Sequence, residues 1–328
     1  MSINMETRKV QKTGGSSYII SLPKAWIDKH GVEKNDTLGI LSQADGNLLI
    51  TPKINLEEYI KSKIFDVDDI TDSNYLFRLL IGAYIMGYNI ITIKSSRKFE
   101  QFIRDTITNF TQIAIGPEIV KESNNIITIK DLLNPKEMPF EMTIKRMYIL
   151  VQNMHEDAKK ALATHDKKLA KEVIKRDNDV DRLHWLIGRQ SHIVLKDIIL
   201  CQKMGVTLEE AVHFQQISRF LERIGDHAVK IAKNVLLMDV TKIDKKVLDE
   251  ILNASEFSLE LLGRSLDAWF QKSMILANET IESIKELTSI TEKINSSDSI
   301  AIGYILESIR RTSEYAGDIC EIIINNLV

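Results

Sequence analysis

Glu222-Arg223-Ile224-Gly225-Asp226 sets two carboxylates at i and i+4, and the pattern returns near the C-terminus as Glu314-Tyr315-Ala316-Gly317-Asp318. Residues four apart share one helix face, so each pair aims two oxygen ligands in one direction. Asp177 and Asp181 form a third such pair. Like charges at this spacing repel by roughly 0.2–0.5 kcal/mol, a cost that a bound hard cation reverses. All-oxygen ligation favours iron, manganese, magnesium or calcium over zinc or copper(I). The competing reading is a solvated acidic face. Repetition argues for a site: Glu314, Gly317 and Asp318 all stand 92 residues (314 − 222) beyond Glu222, Gly225 and Asp226, and Asn326 stands equally far beyond Asn234. Each glycine costs about 1 kcal/mol relative to alanine inside a helix. Close packing or ligand access would explain it. His184, one turn beyond Asp181, is a weaker ligand candidate, and His227, adjacent to Asp226, reads as a surface or edge residue.

Helices must position these acids. From Glu141 to Val328 there is no proline and apolar residues recur every three or four positions, which predicts six helices at about 143–164, 167–199, 208–239, 244–269, 272–295 and 298–327. Thr207-Leu-Glu-Glu210 is a capping box opening the third. Ile217, Leu221, Ile224, Ala228, Ile231 and Val235 form its packing seam, and two three-helix bundles follow. At about 100° per residue, Glu222 and Asp226 lie far from that seam, on an exposed polar face with Gln215, Arg219 and Lys233. Glu307, Arg310, Glu314, Asp318, Glu321 and Asn325 make a similar polar stripe on the sixth helix.

Upstream, residues 54–140 mix α and β. Helices at Ser73–Gly87 and Arg97–Thr111, a strand at Asn89–Ile93 and a hairpin of Glu118–Glu122 with Ile126–Ile129 are expected, with no catalytic constellation among them. The segment reads as a spacer or a partner-docking domain. Residues 1–53 are β-rich: Arg8–Lys12 and Tyr18–Leu22 flank a glycine turn, Pro23 opens a short helix closed by Gly31, and Thr37–Gln43 pairs with Asn47–Thr51 across Ala44-Asp45-Gly46. So small a unit buries little surface alone, and two copies are expected to interlock as a homodimer. A net charge of −3 leaves DNA binding to a local basic patch. Cys201 and Cys320 are isolated, without C-x-x-C spacing, and no apolar signal core or spanning segment is evident, so a cytoplasmic protein without membrane insertion is expected.

Two resemblances emerge from these residues. The run from Arg8 to Asp36, with Ser-Leu-Pro-Lys-Ala-Trp at residues 21–26, resembles the swapped-hairpin SpoVT-AbrB domain, with Asn35-Asp36 in place of the family's Gly-Asp. It implies an intertwined dimer presenting Arg8, Lys9, Lys12 and Lys24 to DNA, where cations displace phosphate counterions. The six-helix region, with Asp177-Asn-Asp-Val-Asp-Arg-Leu183 and Glu222-Arg-Ile-Gly-Asp-His-Ala228, is similar to the PhoU phosphate-uptake regulators. That resemblance implies two three-helix bundles carrying metal, often iron, on acidic surface motifs, here Asp177, Asp181, Glu222, Asp226, Glu314 and Asp318. Lys230 replaces a frequent asparagine, and Ile281 and Lys285 stand where the second repeat would match Asp177 and Asp181, so a second site is expected to be poorer or dead. An AbrB-like start fused to PhoU resembles the archaeal type of regulator.

The expectation is thus a multidomain chain: an AbrB-like domain at 1–53, an α/β segment at 54–140, and a PhoU-like all-α domain at 141–328 with repeats of about 141–240 and 241–328. It would be a non-enzymatic regulator of phosphate uptake that binds DNA and senses metal, phosphate status or a partner. An adaptor docking on a phosphate transporter or sensor without touching DNA is one alternative. A metal-dependent phosphohydrolase is another, disfavoured because exposed acids lack the enclosed pocket catalysis needs.

Overall fold

The computed structural model describes residues 6–42, 46–52, 60–239, 243–294 and 299–328. The chain divides into two compact units, Met1–Tyr59 and Ile60–Val328.

In the first, β1 (Gln11–Thr13) pairs antiparallel with β2 (Ser17–Ile19) across a turn in which Gly14 has φ +63°. Helix α1 (Lys24–His30) starts directly after Pro23 and ends at Gly31 in the left-handed conformation. β3 (Gly39–Ser42) pairs antiparallel with β4 (Leu48–Thr51). Of the turn expected between them, Ala44 and Asp45 lie outside the described residues. Asn35 takes φ +75°, a conformation asparagine tolerates better than most residues, so its replacement of glycine is accommodated. Asp36 accepts the Glu33 amide at 2.7 Å and closes the same turn. No described residue of this unit is buried, and Val10, Tyr18, Ile40 and Leu48 are each more than 60% exposed.

The second unit opens with an α/β layer: β5 (Ser62–Asp66), α2 (Ser73–Ile85), β6 (Ile90–Lys94), α3 (Gln101–Ile113), β7 (Pro117–Glu122) and β8 (Ile126–Asp131). The sheet order is β5-β6-β8-β7, parallel only between β5 and β6. Leu76, Leu80, Ile91, Ile93, Ile107, Phe110, Ile127 and Ile129 form its core. β5 was not expected: Ser62-Lys-Ile-Phe-Asp66 has only two apolar residues and no alternation to betray it.

Among the described residues seven helices follow: α4 (Phe140–Thr164), α5 (Lys167–Val194), α6 (Ile198–Lys203), α7 (Leu208–Leu237), α8 (Lys245–Gln271), α9 (Met274–Lys293) and α10 (Ile300–Leu327). Six were expected. The second expected helix ends five residues early, because Asp197 accepts the amides of Ile199 and Leu200 and starts α6 as a separate turn. α4, α5 and α7 pack as one bundle, α8, α9 and α10 as a second, and α7 lies against α10. The Thr207 capping box forms, and all six seam residues of α7 are buried. Among the described residues no helix is long and apolar enough to cross a membrane.

α5 joins the bundle to the α/β layer. Arg189 Nη1 donates to the carbonyls of Tyr84 at 2.6 Å and Tyr88 at 3.0 Å, and Nη2 lies 2.6 Å from Asp131 Oδ2. Both side chains of that ion pair are less than 10% exposed. Gln190 donates to Met138 O at 2.7 Å, and Trp185 meets Phe77 edge-on. Removing one partner of a buried ion pair strands the other charge, so Arg189→Ala should lower the urea-unfolding free energy by about 3–5 kcal/mol. Replacing both partners, as Arg189→Met with Asp131→Asn, should cost less than the single change.

Candidate functional site

Four acids converge where α5 lies on α7. Asp177 and Asp181 come from α5, Glu222 and Asp226 from α7, and all four are half-buried. The apolar faces of both helices dictate this: Val180, Leu183 and Ile187 of α5 and Leu221, Ile224 and Ala228 of α7 are fully buried, which sets the acids along the border of the contact. The sequence placed them on an exposed face. The structure overturns that placement, because a helical wheel of α7 alone omits the neighbouring helix that covers one side of its polar strip.

The charges sense one another. Burial, followed by the charges of Asp177, Glu222 and Asp226, pushes Asp181 up to about 7. Asp177 is raised by burial and then by Asp226, with Lys233 opposing. Glu222 is raised by burial and Asp226 against the pull of Arg223 and Arg219. Such an arrangement retains a proton or attracts a cation. Among the described residues, no three His, Cys, Asp or Glu side chains already stand in ligating geometry. The donors are nevertheless all carboxylate oxygens under mutual repulsion, a set that suits a hard cation.

Glu314 and Asp318 of α10 are not joined to this cluster. Glu314 is exposed and accepts Arg311 Nη1 at 2.8 Å, while Arg311 Nε donates to Glu307 at 3.0 Å and Arg310 pairs with Glu307. Asp318 is raised by burial and then by Glu321 and Glu314, with Arg311 opposing. Arg311 thus offsets part of the second repeat's charge in place. Packing restricts the two glycines unequally, with ordinary contact distances at Gly225 and a tight one at Gly317. A Cβ at Gly225 would lie 3.5 Å from Val180 and 3.6 Å from Val151, and one at Gly317 only 2.8 Å from the Ile284 Cδ1.

His227 is buried, not a surface or edge residue as expected: α10 covers it, and its ring lies 5.9 Å from that of Tyr315. Sequence reading missed His155 of α4, whose Nε2 donates to Ile224 O at 2.8 Å. Its signal was there, on the apolar stripe of Met147, Val151, Met154 and Ala158. Burial lowers both histidines to about 4. His184 Nδ1 is 3.0 Å from Ser218 Oγ, which itself donates to Gln215 O, so the imidazole is the donor. In the first unit Arg8, Lys9, Lys12 and Lys24 are all exposed, and Arg8 pairs with Glu6.

The PhoU domain family model matches residues 144–235, and residues 11–56 match the antidote-toxin recognition domain of the bacterial antitoxin MazE. A phosphate-specific transport system accessory protein PhoU homolog of Thermotoga maritima is 25% identical over 194 residues, spanning 55% of this chain and 82% of its own. One from Aquifex aeolicus is 31% identical, spanning 47% and 65%. A crystal structure of PhoU from Pseudomonas aeruginosa shares 19% identity at a TM-score of 0.49 over 58% of this chain and 95% of that one.

The acid cluster makes stability pH-dependent in a defined direction. Asp181 sits at about 7 in the fold against an ordinary 3.8, so the native protein holds a proton that the unfolded chain releases. Its contribution is therefore most favourable at low pH, declines as pH rises from about 4 to 7, and levels off above. Thermal denaturation in chelator should show this decline between those limits. Asp181→Asn should flatten it and raise Tm at pH 8; an unaltered profile would place the proton elsewhere.

Proposed function

Carrying a PhoU domain behind a swapped-hairpin domain of the MazE and AbrB kind, this chain is, we propose, a regulator of phosphate transport that binds DNA as a homodimer and reads a cation or a partner through its helical half. The acid cluster of α5 and α7 carries the sensing part: four half-buried carboxylates from two helices, with Asp181 lifted to about 7. The relatives bear the name of accessory proteins of phosphate transport, which supports regulation over catalysis. Asp177, Asp181, Glu222 and Asp226 would hold an iron or manganese ion. That ion would add to the positive charge of Lys233, Arg219 and Arg223 and draw α5 and α7 together. Glu314 and Asp318, partly offset by Arg311, would make a weaker second position.

DNA binding rests on the exposed Arg8, Lys9, Lys12 and Lys24, and on a first unit whose apolar residues need a second copy to cover them. Docking on a transporter or sensor protein through the helical surface is the second reading, favoured by the transport-system names of the relatives.

Two measurements test the proposal. DNA affinity should fall steeply with salt, and alanine at Arg8, Lys9, Lys12 or Lys24 should lower the slope of log K against log salt by about 0.9 for each phosphate that is no longer neutralised. Absence of binding at low salt would leave the docking reading alone. Elemental analysis of protein purified without chelator should find iron or manganese, and Glu222→Ala with Asp226→Ala should remove it. Metal content unchanged by that pair of substitutions would sink the metal assignment.

A further inference from the structure

The four-stranded sheet of the α/β layer has two edges, and they are built differently. β7 opens on Pro117, shifts register between Ile119 and Lys121, and carries Glu118, Lys121 and Glu122. Proline, a bulge and charges are the means by which an edge strand refuses a further partner. β5, at the other edge, lacks proline and runs in unbroken register with β6 over its whole length. Ser62, Lys63, Ile64 and Asp66 are exposed along it, Ile64 to 59%.

We infer that β5 pairs antiparallel with β5 of a second copy, joining the two sheets into one. The strand is self-complementary under a twofold axis at Ile64. That register sets Ile64 against its own copy, Ser62 opposite Asp66 and Lys63 opposite Phe65. No like charges face one another, a hydroxyl meets a carboxylate, and an ammonium meets an aromatic ring. Within one chain Lys63 Nζ already lies 5.5 Å from the Phe65 ring centroid.

A five-residue strand pair buries far less than the roughly 1,000 Å² that a free-standing interface needs. It forms because something else holds the copies together. β4 ends at Thr51 and β5 begins at Ser62, so dimerised first units keep two β5 strands at an effective concentration on the order of millimolar. The inference therefore rests on the homodimer reading.

Cysteine cross-linking in the full chain tests it. Antiparallel partners have Cα atoms about 4.5–5.5 Å apart, within reach of a disulfide, and the native Cys201 and Cys320 are buried. Under mild oxidation, most Ile64→Cys chains should run as covalent dimers on a non-reducing gel. Val120→Cys, at a position 52% exposed on the guarded edge, should give several-fold fewer. Ile64→Lys, which sets two ammonium groups face to face, should leave the protein dimeric in sedimentation but slow cross-linking from Ser62→Cys paired with Asp66→Cys in a mixed dimer. Sedimentation as a monomer overturns the homodimer reading and the strand pairing together. A dimer in which Ile64→Cys cross-links no faster than Val120→Cys overturns the strand pairing alone.

Discussion

Apolar packing between α5 and α7 is the interaction that the rest of the larger unit depends on, because it holds like charges where they would not gather unaided. Val173, Val180, Leu183, Ile187 and Val194 of α5 and Ile217, Leu221, Ile224, Ala228 and Ile231 of α7 are buried in one core. Burying each such side chain contributes about 1.5–3 kcal/mol. Carboxylate pairs on exposed helices repel by only a few tenths of a kcal/mol, and more when half-buried. Packing therefore wins, and the repulsion remains as a raised proton affinity at Asp181 instead of splaying the helices.

The same helix reaches the α/β layer. Asp181 and Arg189 lie eight residues apart on α5, about 12 Å along the axis. Arg189 is fastened at three points to the α/β layer, through Tyr84, Tyr88 and Asp131, and its guanidinium lies 4.9 Å from the Tyr84 ring centroid. α5 thus lays its apolar face in the bundle core from Val173 to Val194, while Trp185 on another face packs against the second core. Arg189 and Trp185 thereby tie the helix that carries Asp177 and Asp181 to the α/β layer.

Much of this was legible in the sequence, for identifiable reasons. A period near 3.6 and the Thr207 capping box located the long helices, and the α7 seam was read residue by residue, because both signals are local to one helix. What failed was whatever needed a second helix. Asp177 and Asp181 could be set on one face of α5, and Glu222 and Asp226 on one face of α7, but their meeting depends on how the two helices cross. His227 looked like a surface residue because the wheel of α7 carries no sign of α10 packed across it. β5 escaped because an edge strand between exposed charges needs no apolar alternation. In the first unit, the expected shortage of core is real at the level of one copy, since none of its described residues is buried.

The two repeats share the E-x-x-G-D motif but differ in what surrounds it. A Cβ at Gly317 would crowd the Ile284 Cδ1, whereas one at Gly225 would make ordinary contact with Val180. The acids diverge in their surroundings. In the first repeat α5 brings Asp177 and Asp181 to the motif; in the second, α9 offers Ile281 and Lys285, and Arg311 occupies Glu314 and Glu307 directly. Arg311 is itself a repeat partner of Arg219, at the same 92-residue offset (311 − 219), and each only partly offsets the rise at a neighbouring acid, Asp318 and Glu222. Only the repeat that recruits two further carboxylates thus gathers four acids and pushes one of them, Asp181, up to about 7. A motif match alone therefore does not gather a carboxylate cluster in this fold; the helix laid across it does.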